Sequence, residues 1–309
     1  LTGNAELNEH PLSKYARGIF FSPNYNKEFF DAINWANNLG DYKTQLNLIN
    51  PFVNNVLMNI GLLNDNVVLS DQSIISHILQ MGSPIDGQGN HDHCGYAVSS
   101  NADGTIIAIS SHWYSYTDQS NKLRGRVRIY KWNNTSWNHI GTIDGEDKNS
   151  NSGYSTSLSD DGTILAIGAP YNDGGGTGYG AGHVRVYDYI EGRSPEWDQL
   201  GSDIEGEAAY NLGGGCVSLN SNGTILAIGA KYNDVNTSNT NDNTGHVRVY
   251  EYTNNDWQQI GDDIDGQSQG DYFGGSVSLS DNGTIVAIGA IKHDGINGPD
   301  SGQVRVYDY

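Results

Sequence analysis

From about residue 78 onward, apolar positions come in short bursts separated by Gly, Asn, Asp and Ser. One burst recurs almost unchanged: IIAIS, ILAIGA, ILAIGA and IVAIGA begin at Ile106, Ile164, Ile225 and Ile285. A second alternates. In 303–309, Val304 and Val306 fall on one face and Arg305 and Tyr307 on the other, the two-residue period of a strand. Short runs bounded by turn residues predict strands, and without a 3.6-residue period helical repeats are excluded. The IVAIGA run is apolar on both faces, so it is predicted to lie between two neighbouring sheets.

These bursts belong to a repeat. Gly82, Gly141, Gly201 and Gly261 open each copy, and Ile85, Ile143, Ile204 and Ile264 follow. An acid and a glycine come next, at Asp86 and Gly87, Asp144 and Gly145, Glu205 and Gly206, Asp265 and Gly266. Thr105, Thr163, Thr224 and Thr284 mark a shared turn, and Tyr130, Tyr187, Tyr250 and Tyr307 the last strand. Trp137, Trp197 and Trp257 stand sixty residues apart. The copies are 78–136, 137–196, 197–256 and 257–309, with Ile78 in place of Trp in the first.

Each copy reads as four strands, in the last one 257–264, 276–280, 285–290 and 303–309. Tight hairpins at Asp103-Gly104, Asp161-Gly162, Asn222-Gly223 and Asn282-Gly283 join the second to the third, because such pairs supply positive φ. Sheets apolar on both faces must stack around an axis, and a fixed period of this length marks such an array. The expected fold is all-β, a β-propeller of four-stranded blades. A closed four-bladed ring, with 78–85 completing the blade that ends at Tyr309, is expected ahead of a partial array.

Residues 1–77 hold no copy of the repeat. Phe29, Ile33 and Ala36 line one helical face that Gly40 ends, and Asn50 caps a second helix with Pro51 in its first turn. The reading is a small, mainly α docking segment before a propeller at 78–309. Its apolar stripes need a partner surface, either the propeller or a neighbouring copy. The chain opens at Leu1 without Met and stops at a repeat end, which suggests a processed or incomplete polypeptide.

Charge then narrows the function. The net charge of −20 opposes nucleic acid, whose phosphates need clustered Lys and Arg. No apolar run reaches the length of a membrane-spanning helix. Cys94 and Cys216, at non-equivalent positions of different copies, are not expected to form a bridge.

The string DYFGGSVSLSDNGTIVAIGA at 271–290 resembles the FG-GAP repeats of integrin α-subunit propellers. It is still more similar to tandem repeats of secreted microbial surface proteins. Phe273 and Gly274, Gly289 and Ala290 match the name-giving pairs, and Gly168, Ala169 and Pro170 match in the second copy. The resemblance spans roughly 78–309 and implies an extracellular or cell-surface adhesion module without a defined active site. It also implies calcium loops of the form D-x-D-x-D-G. The corresponding loops, 171–180, 232–244 and 292–300, lack that spacing, so no cofactor is expected.

Few residues offer chemistry of their own. His91, Asp92, His93 and Cys94 form the one dense cluster of metal-capable side chains. His91 and His93 would share a face in a strand, whereas an ordinary polar loop is the expectation. His183 and His246 occupy a slot filled by Arg126 and Gln303 elsewhere, which reads as a solvated strand start. Arg128, Arg185, Arg248 and Arg305 recur in every copy, so they are expected to bind backbone or acid partners between strands. Tyr114, Tyr116, Tyr171, Tyr179 and Tyr232 lie in loops, and Tyr171, Tyr179 and Tyr232 are the candidate ligand contacts, with blade packing the competing role. Glycosylation sequons fall at Asn133, Asn134, Asn222, Asn236 and Asn282. Those at Asn222 and Asn282 read as turn chemistry.

No nucleophile elbow, phosphate loop or zinc helix is present. The expected function is a non-enzymatic structural or adhesive protein that assembles with copies of itself or other surface proteins, as in a filament, through residues 1–77. The alternative is a propeller that binds glycan or protein, and the third a carbohydrate-active enzyme, for which no pair of unique carboxylates stands out.

Overall fold

The structure, a computed structural model, describes residues 80–115, 123–173, 178–234 and 242–309. The helix expected along Phe29, Ile33 and Ala36 and the one expected after Asn50 lie outside the described residues, as do Tyr116 and Asn236. The chain divides into two compact units, Leu1–Gln80 and Met81–Tyr309, and the described strands all fall in the second.

The fold is an all-β propeller of four antiparallel sheets. The first contains β1 (Val98–Ser100), β2 (Ile106–Ser111), β3 (Arg126–Trp132) and β4 (Trp137–Asp144). In the second, β5 (Ser155–Leu158), β6 (Ile164–Ala169) and β7 (His183–Tyr189) are followed by β8 (Trp197–Gln199) and β9 (Ile204–Glu205), both paired to β7. The third repeats this plan with β10 (Cys216–Leu219), β11 (Ile225–Ala230), β12 (His246–Thr253), β13 (Asp256–Gln259) and β14 (Ile264–Asp265). The fourth has β15 (Phe273–Leu279), β16 (Ile285–Ala290) and β17 (Gln303–Asp308). Strands β1, β5, β10 and β15 contact one another in succession, so the first strand of each blade faces the hub.

The hairpins after these inner strands form as their residues dictate. Asp161 Oδ1 accepts bonds from the Thr163 amide and hydroxyl at 2.9 and 2.8 Å. Asp103, Asn222 and Asn282 make the same turn with Thr105, Thr224 and Thr284. The glycine after each of them has φ between 70° and 76°.

The sequence copy and the blade are out of phase by one strand. The Trp strand that opens each copy pairs with the last strand of the preceding copy, Trp197 with Tyr189 and Trp257 with Tyr252. Each blade therefore takes its outermost strand from the next repeat, which ties consecutive blades covalently.

The core lies between blades. Leu165 and Ile167 of β6 pack on Ala108, Val127 and Ile129 of the first blade, and Ala166 turns the other way toward Leu226 and Ile228. The third interface sets Val247 and Val249 against Val286, Ile288 and Phe273. This is the placement between sheets that the all-apolar third strand predicted. Each side chain of this size removed from water contributes about 1.5–3 kcal/mol, so the blades hold together chiefly through these faces.

The expected ring closure does not form. The fourth blade has three strands, and β17 pairs only with β16 among the described residues. Ile85, expected to complete it, lies in no strand. As a result Val304 and Val306 are 68% and 64% exposed, whereas the equivalent Val184, Val186, Val247 and Val249 are at most 3% exposed.

Candidate functional site

The loop after each third strand begins with a side chain at one equivalent position: Trp113, Tyr171, Tyr232 and Lys292. Blade stacking repeats that position at one end of the propeller, so the rings come into register. Tyr171, Tyr179, Tyr210 and Tyr232 line a cleft of about 810 Å³ together with Asn211, Leu212, Asp234 and Asn243. Tyr179 and Tyr210 stand 5.7 Å apart and are 54% and 67% exposed. Tyr171 meets Tyr154 edge-on at 6.2 Å, and Tyr232 meets Tyr272 at 5.3 Å. Burial, with the neighbouring phenols, raises the Tyr171 hydroxyl above the usual tyrosine range. The Lys231 ammonium sits 5.1 Å from the Tyr232 ring centre and Lys292 4.9 Å from that of Tyr272.

The three tyrosines singled out from the sequence thus come to one cleft, and Tyr210 joins them. It stands where other copies hold Asn149 and Gly270, a copy-specific aromatic that the repeat alignment could have flagged. Tyr114 plays a different part, covering the Arg126 guanidinium at 3.8 Å.

His91 and His93 do not form a chelating pair. Both occupy turns with positive φ, 62° and 54°, so the shared strand face is absent. His93 holds the position of Asn151, Leu212 and Tyr272, all at φ near 52°, and its ring stacks on Trp113 at 4.1 Å. Asp92 is buried because its carboxylate accepts the Gln88 amide, the role Asp271 plays for Gln267. Cys94 lies 3.1 Å from Arg128 Nη2. Both cysteines are free. The Cys216 thiol bonds the Gly274 carbonyl at 3.0 Å, and burial pushes it up to about 12.

The calcium loop implied by the resemblance does not fit the residues present. In the 292–300 loop Asp294 is bound to the Asp300 amide at 2.9 Å, and no alternating acids accompany it. Among the sequon asparagines, Asn222, Asn282 and Asn133 each accept the hydroxyl and amide of their own Thr. Asn134, exposed with φ 75°, is next to Asn133 in the β3–β4 hairpin.

His183 and His246 are 5% exposed, not solvated strand starts. They pair in register with Glu205 and Asp265, where the outer strand and the neighbouring blade cover them. Desolvation, reinforced by Arg185, pushes His183 down to about 4, and burial lowers His246 as well. Arg185 forks onto Asp203 at 2.9 and 2.6 Å and also binds Glu146. Arg248 likewise binds Asp263 at 3.1 Å and Glu207. Arg128 and Arg305 reach instead to the backbone carbonyls of Asp86 and Asp265. The groups His183, Asp203, Glu205 and Glu207, His246, Asp263 each bring three ligand atoms within 4.8 Å. In both groups a guanidinium already occupies carboxylate oxygens, so the arrangement is an ionic rivet that ties a strand to the outer edge of its own blade and to the segment leading in from the blade before.

Residues 264–307, within the fourth copy, match the FG-GAP repeat family. No curated protein matches the chain. Similar solved structures include hydrazine synthase from Kuenenia stuttgartiensis, at 11% identity and TM-score 0.44, covering 73% of this chain and 49% of that one. TolB from Acinetobacter baumannii is similar at 13% identity and TM-score 0.37, over 69% of this chain and 40% of its own. The chain thus spans less than half the length of either.

Proposed function

We propose that this is a non-enzymatic, extracellular adhesive propeller that binds glycan in the tyrosine cleft between its second and third blades. The observation that carries the reading is the convergence of Tyr171, Tyr179, Tyr210 and Tyr232 on one open cleft. Sugar rings present apolar C–H faces to aromatic rings and hydroxyls to amides and acids, and Asn211, Asp234 and Asn243 supply the latter. Asp234 is the single carboxylate among the described residues lining the cleft. A two-carboxylate glycoside hydrolase needs a second, which supports a binding role over an enzymatic one. The FG-GAP repeat and the acidic surface favour a place outside the cell.

A glycan array with the native chain and with Tyr179→Ala and Tyr210→Ala tests this. Each exposed ring is expected to supply about 1 kcal/mol by stacking, so the double variant should bind about 30-fold more weakly, and Phe at both positions should restore most of it. No bound glycan, or equal binding by the double variant, would remove the proposal.

Assembly is the second part of the reading, with residues 1–77 docking on a neighbouring copy. Their removal is expected to reduce particle size in sedimentation, and an unchanged size would count against that role.

A further inference from the structure

We propose that the tyrosine cleft takes an acidic glycan, one bearing carboxylate or sulfate groups, and that the Lys231 ammonium pairs with that charge. The inference rests on the glycan reading above and adds the chemistry of the sugar.

Lysine at this position is a property of one copy. The slot after each third strand holds His112, Pro170, Lys231 and Ile291, so the repeat does not need a cation there. The cation stands in the copy whose next residue, Tyr232, lines the cleft. Its stem runs toward the fourth blade, where a methyl group built at Gly275 would meet Lys231 Cδ at 3.9 Å. Gly275 occupies the place of Tyr96 and Tyr154, and a ring there would crowd the lysine stem. The ammonium lies 5.1 Å from the centre of the Tyr232 ring. Burial pushes the Tyr154 hydroxyl up to about 12, and the Lys231 ammonium is the cation that opposes the rise. Tyr154 in turn meets Tyr171 of the cleft edge-on, so the lysine and the cleft rings form one group.

This cation is free for a ligand in a way the arginines are not. Arg126, Arg185, Arg193 and Arg248 pair with carboxylates, and Arg128 and Arg305 bind backbone carbonyls. Among the described residues Lys231 is in no ion pair. The acids nearest in sequence are engaged by their own loops. Asp234 accepts the Asn243 amide at 2.8 Å, and Asp242 accepts the Thr244 hydroxyl at 2.9 Å. Asp271, beside Tyr272, accepts the amides of Gln267 and Ser268 at 3.2 and 2.9 Å. Residues 235–241 add no charge to the loop that borders the cleft. A second ammonium stands next to the first pair of rings: Lys292 rests on Tyr272, which meets Tyr232.

A carboxylate or sulfate meeting an ammonium makes a charge-assisted hydrogen bond, roughly twice as strong as the one a neutral hydroxyl can offer. The chain as a whole carries a net charge of −20, which repels anions. Beyond about 8 Å that repulsion is screened at physiological salt, so the contact at Lys231 decides which sugar is retained.

The test measures binding of the full chain to two pairs of probes that differ only in charge. One pair is an oligogalacturonate and its methyl ester, the other a sulfated cello-oligosaccharide and its unsulfated form, so the pairs separate carboxylate from sulfate. At least one acidic probe is expected to bind about tenfold more tightly than its neutral partner, with a preference that shrinks as salt is raised. Lys231→Met keeps the apolar stem and should erase the preference without weakening the neutral form, and Lys231→Arg should restore it. Tyr179→Ala with Tyr210→Ala should weaken both members of a pair alike. Equal binding of acidic and neutral forms by the native chain overturns the inference and leaves the cleft as a neutral-sugar site. A preference that survives in Lys231→Met does the same for the role of the lysine. No binding of any of the four probes also overturns it, whereas the cleft reading itself falls only with the glycan array.

Discussion

Replacing Gly168 with Ala should remove about 3 kcal/mol from the stability of the propeller. Gly168 lies in β6 and its Cα faces the third blade. A methyl group built there falls on the backbone carbonyl of Gly214 and on the Ser155 hydroxyl, well inside 3.0 Å. A backbone carbonyl cannot rotate away, and Gly214, itself at φ 82°, is fixed by the turn that starts the next blade. Relief requires the second and third blades to part, which loosens Leu226, Ile228 and Trp257 from Val184 and Val186. Overpacking costs about 1–3 kcal/mol, and a clash with a fixed carbonyl lies at the upper end, a large share of the stability of a domain. Gly289 is the internal control. It has the same place in the fourth blade, but a methyl there meets only the Ser276 side chain, so Gly289→Ala should cost about 1 kcal/mol. Urea denaturation of both variants measures the difference. Equal midpoints would show that blade spacing is not set by these glycines.

Much of this architecture could be read from residue patterns, because the patterns encode local rules. Asp-Gly and Asn-Gly before Thr build the same turn wherever they stand, and a strand apolar on both faces has to be covered on both. What escaped was information carried by register between distant residues. Trp197 opens a repeat in the sequence but closes a blade in the fold, since its partner Tyr189 lies on the other side of a hairpin. The His, Arg and Gln that alternate at one slot looked like a tolerant, wet position. It is tolerant because each blade supplies its own partner: Arg126 forks onto Asp144 at 2.5 and 2.9 Å, and His183 stays buried and neutral beside Glu205. His93 looked like a ligand because its neighbours could bind metal, but its backbone conformation recurs with Asn, Leu and Tyr. The tyrosine cleft was half legible. Its candidates were visible as loop aromatics, but the pairing of Tyr179 with Tyr210 depends on two blades packing side by side.

Acid should weaken the propeller well before its carboxylates titrate, and the buried histidines are the cause. In the folded state His183 is held down to about 4 by burial and by the adjacent Arg185. Unfolded, it returns to about 6.5. A basic group lowered on folding binds fewer protons in the native state, so its contribution is complete above pH of about 6.5 and is lost as pH falls toward 4. The difference corresponds to about 3 kcal/mol for His183, and His246 acts in the same direction. Asp203, lowered by its bond to Arg185 once burial has been overcome, gives up its stabilisation only at still lower pH. Glu205 and Asp265, raised by burial and by the neighbouring acids Asp203 and Asp263, work the opposite way and soften the fall, because protonation relieves them. Thermal unfolding measured from pH 7.5 to 4.5 should therefore show a steady decline in Tm. The double variant His183→Gln, His246→Gln borrows the residue that the fourth copy already carries at Gln303, and it should flatten that decline while leaving the neutral-pH Tm within a few degrees. An unchanged slope in the variant would assign the acid sensitivity to the carboxylates and remove the histidines from the account.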